Sequence, residues 1–145
     1  FNIALFGKPE QAVYFANMCP GKVDSSGIML MKYPGFVSEC AGAKDTWGVN
    51  SAQIEGDQGY IYVRNGSNGI EHIEVVTRQG KEEFNVQSDP DRWYYEVQNL
   101  TKKVLEGDQN YFTERLSVTE NVIDIITKAR KEAGIWFAGE HHEGR

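Results

Sequence analysis

Between Gln11 and Gln87 the sequence places seven short apolar runs with almost no chain to spare between them: AVYFANM, SGIMLMKY, FVSECAGA, VNSAQIE, YIYVR, IEHIEVV and EEFNV. They are punctuated by PG at 34 and 35, EGDQG at 55 to 59, NGSNG at 65 to 69 and QGK at 79 to 81. Parallel neighbours need a crossover of about a dozen residues or more, whereas antiparallel neighbours close through about two to five. Links this short dictate antiparallel pairing in a meander-like, open sheet.

The stretch QIEGDQGYIYV, with two glycines three apart, raises the alternative of a phosphate-cradling loop. Such a loop follows a strand and opens a helix, whose N-terminus supplies free N–H groups and partial positive charge. Here the glycines open a strand instead, because Tyr60, Ile61, Tyr62 and Val63 alternate with a period of two. A hairpin is expected, with one strand ending near Ile54, a turn through Glu55 to Gly59, and the next strand leaving at Tyr60. Gly56 and Gly59 would supply backbone conformations that a side chain resists.

Helical signals flank this β region. Residues 1–10, FNIALFGKPE, read as the end of a helix stopped by Gly7 and Pro9, and such a helix is expected to begin upstream. Ser88, Asp89 and Pro90 form a capping candidate for a helix near 90–106, in which Trp93, Val97, Leu100 and Val104 fall on one face and Gly107 ends the run. A second helix is expected at 118–133, opened by the capping-box spacing of SVTE at 117 to 120. Its stripe is Val118, Val122, Ile125, Ile126, Ala129 and Ala133, with Gly134 as the stop. The sequence thus reads as an α+β fold: an open, mostly antiparallel sheet at 11–137 with two C-terminal helices packed on one face, and a tail at 138–145. Two helices cover only one face of so wide a sheet. Ile28 and Leu30 point away from Met29, Met31 and Tyr33, so the second face asks for a second copy or another domain.

At 145 residues the chain suits a single domain able to bury roughly 70% of its unfolded surface. A net charge of −6, a pI near 5.1 and the lack of a basic stripe argue against nucleic acid as a partner. The apolar runs are too short for a membrane span and no basic region precedes a hydrophobic segment at the start, so a soluble, cytoplasmic protein is expected. Cys19 and Cys40 match no metal-ligand spacing and read as buried free thiols, with a disulfide or a nucleophile as lesser alternatives. The sequons at Asn65 and Asn99 read as accidental.

Catalytic motifs are missing: no HExxH, CxxC pair, GxSxG or Walker loop occurs. His72, in a strand with Glu71 and Glu74, reads as a surface or edge residue. His141 and His142 could take a stray metal but sit in a terminal tail. Glu82 and Glu83 read as solvated positions. The loop KDTWG at 44–48 differs, joining a cation, a carboxylate, a hydroxyl and an indole, a set suited to a polar ligand with an apolar flank such as a sugar ring. Its alternative is a loop whose Trp47 plugs the end of the core.

Several segments taken in order resemble the C-terminal domain of the Gfo/Idh/MocA oxidoreductases, relatives of glucose-fructose oxidoreductase and inositol dehydrogenase. They are ALFGKPEQAVYF at 4–15, VDSSGIMLMKYPG at 23–35, AKDTW at 43–47, IEGDQGYIYV at 54–63, RWYYEVQNLTKKVLEGD at 92–108 and the helix SVTENVIDIITKARKEAGI at 117–135. The resemblance spans Ile3 to Ile135. It implies the substrate-binding and dimerisation domain of an NAD(P)-dependent dehydrogenase of a sugar, polyol or related compound. NAD or NADP would be held by a Rossmann domain that this chain lacks, so no cofactor is expected on the chain and it would be inactive alone. The family's catalytic residues lie on a helix ahead of the LFG segment, of which Asn2 would be a remnant, so no catalytic residue carries over. Asn2, Lys44 and Trp47 are the substrate-side candidates, with a homodimer or higher homo-oligomer formed through the open sheet face. A stand-alone sheet module for interaction or ligand binding, without redox activity, is the alternative. A family member that has lost its activity is a third.

Overall fold

The computed structural model describes residues 1–66, 69, 70, 72–85, 87, 91 and 93–140. In chain order the elements are α1 (Asn2–Phe6), β1 (Gln11–Met18), β2 (Asp24–Tyr33), β3 (Phe36–Ala43), β4 (Ser51–Gly56), β5 (Gly59–Arg64), β6 (His72–Thr77), β7 (Gly80–Phe84), α2 (Tyr94–Glu106) and α3 (Gln109–Glu132). The fold is α+β, open and antiparallel, as the short links require. Among the described residues, seven strands divide between two meanders, β1-β2-β3 and β4-β5-β6-β7. The chain correspondingly forms two compact units, Phe1–Trp47 with Gln109–Arg145, and Gly48–Asp108. The stretch read as one sheet domain therefore contains parts of both.

In the first unit β2 is the central strand, paired with β1 from Gln11↔Lys32 to Met18↔Asp24 and with β3 from Ser26↔Ala43 to Tyr33↔Phe36. Its period of two separates the faces: Met31 and Tyr33 are buried and Met29 half-buried, while Ile28 and Leu30 are exposed. Met31 and Tyr33 form a core with Ile3 of α1 and Ile125 of α3, flanked by Ala12, Met29, Val118 and Val122. Tyr33 stacks on Phe36 with centroids 4.7 Å apart, Phe6 meets both rings edge-on, and the Tyr33 hydroxyl donates to Gly7 O at 3.2 Å. Helix α1 does stop at Gly7, which has φ 75°.

Helix α3 begins at Gln109, well ahead of the expected SVTE cap. Residues 109–116 contain no Gly or Pro to delay it, and Thr119 Oγ1 donates back to Arg115 O at 3.2 Å, an interior habit of helical threonine. Of the expected stripe, Ile125 and Ala129 are buried, Val118, Val122 and Ala133 half-buried, and Ile126 exposed. Beyond Gly134 the chain folds back over Arg130. That guanidinium donates to Ile135 O at 2.8 Å and to both Glu140 oxygens at 2.7 Å, while Phe137 N–H donates to Glu140 Oε2 at 2.8 Å. The Arg130 carbon lies 3.8 Å from the Phe137 ring centroid. Arg130 is buried, so the bidentate pair offsets the cost of desolvating it.

In the second unit, β4 and β5 close through Asp57 and Gln58 alone, with Gly56 opposite Gly59, a tighter turn than the sequence suggested. Neither glycine has a left-handed φ. Gly59 is needed for another reason, because a Cβ there would run into the Val76 carbonyl of β6. Among the described residues of this unit, the buried side chains are Val63 and Glu74. Helix α2 ends at Gly107 with φ 66°, whose N–H meets Lys103 O and Val104 O. It contributes no buried residue, and Trp93, Val97, Leu100 and Val104 are exposed. Ser88, Asp89 and Pro90, the expected cap, lie outside the described residues, as do His141 and His142.

Two consequences are measurable. Ile125→Ala should lower unfolding stability by about 2–4 kcal/mol in urea titration, whereas Ile123→Ala, on the exposed side of the same helix, should stay within about 0.5 kcal/mol. The Glu140 carboxyl is lowered from 4.5 to about 2, first by the Arg130 hydrogen bonds and then by the Phe137 N–H. A depressed folded-state pKa stabilises above the unfolded value and is lost as pH falls. The melting-temperature gap between wild type and Glu140→Gln should therefore be full at neutral pH and close between about pH 4.5 and about pH 2.

Candidate ligand-binding site

Beyond the reach of its core, the helix-covered face of the three-stranded sheet opens into a concavity of about 360 Å³. The strand period brings Tyr14 from β1, Gly27 from β2, and Cys40 and Gly42 from β3 to this face, with Asp24 and Lys44 at the rim. A register shift between Asn17 and Met18 sets Asp24 opposite Met18 at the open end of the hairpin. Gly27 is a requirement rather than a convenience, since a Cβ there would collide with the Tyr14 ring.

Asp24 organises the polar groups. Tyr14 Oη donates to Asp24 Oδ2 at 2.7 Å, and Lys44 Nζ donates to the Asp24 backbone carbonyl at 3.1 Å and lies 3.7 Å from Oδ1. Desolvation, with the hydrogen bond to Asp24 and its negative charge, pushes the Tyr14 phenol up to about 12. The same hydrogen bond, with a smaller contribution from Lys44, holds the Asp24 carboxyl below its usual range. Tyr14 is thus a protonated donor and Asp24 an ionised acceptor across the whole neutral range. Neither is poised to exchange a proton there. Lys44 is mostly exposed and can swing to a ligand. The glycine floor leaves room for a flat group to lie on the strands.

Of the three sequence candidates, one lines the concavity and a second bonds to one of its lining residues. Lys44 lines the rim, and Asn2 Nδ2 donates to Ser38 Oγ and Cys40 Sγ, each at 3.3 Å, so it supports the wall behind Cys40. Trp47 does not join them. Its side chain is fully exposed, so it neither flanks the concavity nor plugs the core. The expectation of two buried thiols is also corrected: Cys19 is half-buried and Cys40 exposed on an edge strand, though burial around its Sγ pushes the thiol up rather than activating it. His72 is not at an edge, because β6 lies between β5 and β7. Sequence reasoning passed over Tyr14 and Asp24. The available signal was the alternation Ala12, Tyr14, Ala16, which sets one large polar ring between two small residues on one face.

No protein-family model matches the sequence. No match was found among curated proteins either.

The site makes a spectroscopic prediction. In ultraviolet titration of the tyrosines, one phenol should ionise near 12 in the wild type and return toward 10 in Gly27→Ala, where the added Cβ displaces Tyr14 from Asp24. Asp24→Asn should produce a smaller return, because it removes the acceptor charge but leaves the desolvation of the phenol in place.

Proposed function

We propose that this chain is the substrate-side and dimerisation domain of an NAD(P)-dependent oxidoreductase resembling the Gfo/Idh/MocA enzymes, acting on a sugar, polyol or related carbonyl compound. The observation that carries the reading is the two-sidedness of the three-stranded sheet. One face holds the concavity, where two acceptors (the Asp24 carboxylate and Tyr14 Oη, whose single O–H is given to Asp24) and an exposed cation, Lys44, stand over a glycine floor. That set suits the hydroxyl groups of a polyol, each of which donates one hydrogen bond and accepts others. The opposite face presents Val13, Phe15, Ile28, Leu30 and Val37, all exposed, bordered by Gln11, Asn17, Ser26, Lys32 and, beside Leu30 on the edge strand, Glu39. An apolar centre with a polar border is the anatomy of a protein interface, here self-complementary across a two-fold axis.

In this reading the bound nicotinamide would exchange a hydride with the substrate carbon. The residues of this chain would bind and orient the substrate, excluding water on one side. The nucleotide would be held by a Rossmann domain outside these 145 residues. The rival reading, a sheet module that binds a ligand without redox chemistry, draws support from the pairing of Tyr14 and Asp24, which are shifted in opposite directions and leave no proton carrier near neutral pH.

Light scattering over a dilution series, with NADH and NADPH fluorescence titrations on the same sample, tests the proposal. A dimer that becomes monomeric in Leu30→Lys and ignores both nucleotides is expected. A monomer at every concentration would remove the dimerisation role, and saturable nucleotide binding would overturn the domain assignment.

A further inference from the structure

One face of the four-stranded sheet carries a cluster that the reading above does not use. Register places Arg64 of β5 opposite His72 of β6, and Glu74 of β6 opposite Glu83 of β7. The Glu74 side chain is nine-tenths buried, an unusual place for a carboxylate. Lys81 Nζ takes one oxygen of each acid, at 3.1 Å from Glu74 Oε2 and 2.6 Å from Glu83 Oε1. The remaining oxygens, Glu74 Oε1 and Glu83 Oε2, lie 3.6 and 3.4 Å from His72 Nε2. That nitrogen is shut off from solvent and makes no hydrogen bond among the described residues.

Lys81 and Arg64 account for the carboxylates but not for the imidazole nitrogen. Shielded polar atoms are ordinarily partnered, so the lone Nε2 facing two anionic oxygens calls for an occupant. The spacing identifies its kind. A tetrahedral zinc ion, with bonds of about 2.0–2.2 Å, holds neighbouring ligands about 3.3–3.6 Å apart. The two distances from Nε2 match that edge, and all three ligand atoms lie within 4.8 Å of one another. One imidazole and two carboxylates form a donor set for zinc and its first-row neighbours, whereas calcium and magnesium require six or more oxygens.

We propose that His72 Nε2, Glu74 Oε1 and Glu83 Oε2 form a three-ligand site for a divalent transition cation, zinc being the best fit, with a fourth position open to water or a ligand. Lys81 acts as a positioning residue that holds both carboxylates from behind. Arg64 shares Glu74 Oε1 and, being half-exposed, turns outward as the ion enters. The proposal stands apart from the polyol reading, since it uses neither the concavity nor a nucleotide.

The test is calorimetric titration of zinc chloride into the chelator-treated full chain carrying H141A and H142A, which removes the imidazoles of the tail. Cobalt(II) absorption serves as a second readout of four-coordinate geometry. One ion per chain is expected, with affinity falling at least about tenfold in H72A and in E83Q, the loss that follows even from disturbing a supporting residue. E83Q preserves shape at a half-exposed position, so it decides the matter if H72A alters the circular dichroism of the fold. Failure to bind zinc, binding unchanged in E83Q, or displacement by equimolar calcium would overturn the assignment.

Discussion

Met31 and Tyr33, pressed against Ile3 and Ile125, fix the register on which the first unit depends. Their burial joins a hairpin near the start of the sequence to a helix more than ninety residues later. Because side chains alternate along a strand, this one choice also sends Ile28 and Leu30 outward and sets Gly27 and Tyr14 on the covered side. Core, concavity and open face are therefore three results of a single pairing. A slip by one residue would exchange the faces, exposing the core and placing the Tyr14 row where Ile28 and Leu30 now stand.

Charge serves the molecule in three different ways. Around Asp24 it freezes a donor and an acceptor in opposite protonation states, so polarity is present without reactivity. At Arg130 it supports a buried cation by a bidentate acid and a carbonyl, securing the chain after α3. On the four-stranded sheet it leaves one partner short, with Lys81 spanning two acids whose other oxygens face an imidazole. The first two arrangements are internally complete. Only the third has a side chain whose hydrogen-bonding capacity is unspent.

The strands were legible because their signal is local: alternation within each run and too little chain between runs for any but antiparallel pairing. Gly7, Gly107 and Gly134 were legible as helix stops for the same reason. The division into two sheets was not, since KDTWGVN at 44–50 is short enough to have joined β3 to β4 as neighbours and nothing local forbids that pairing. SVTE misled because a hydroxyl three residues before a carboxylate also fits inside a helix, where Thr119 bonds back one turn. Of the residues named from chemistry and resemblance, Lys44 stands at the rim of the concavity and Asn2 lies behind Cys40. Tyr14 and Asp24 meet only through a hairpin register and its irregularity, which pattern alone does not specify. Trp47 was chosen for its size, but a large indole in a loop has no strand or helix to aim it, and here it faces solvent.

The return of the chain over Arg130 also sets a boundary for handling the protein. Glu140 supplies both oxygens that neutralise a buried guanidinium, while Ile135 and Phe137 close around it. A protease cut or a truncation ahead of Glu140 would strand that cation among apolar groups and loosen the last turns of α3. A label or fusion joined after Glu140 leaves the arrangement whole. Residues 135–140 thus belong to the folded unit, although 138–140 fall in the stretch that reads from sequence as a tail.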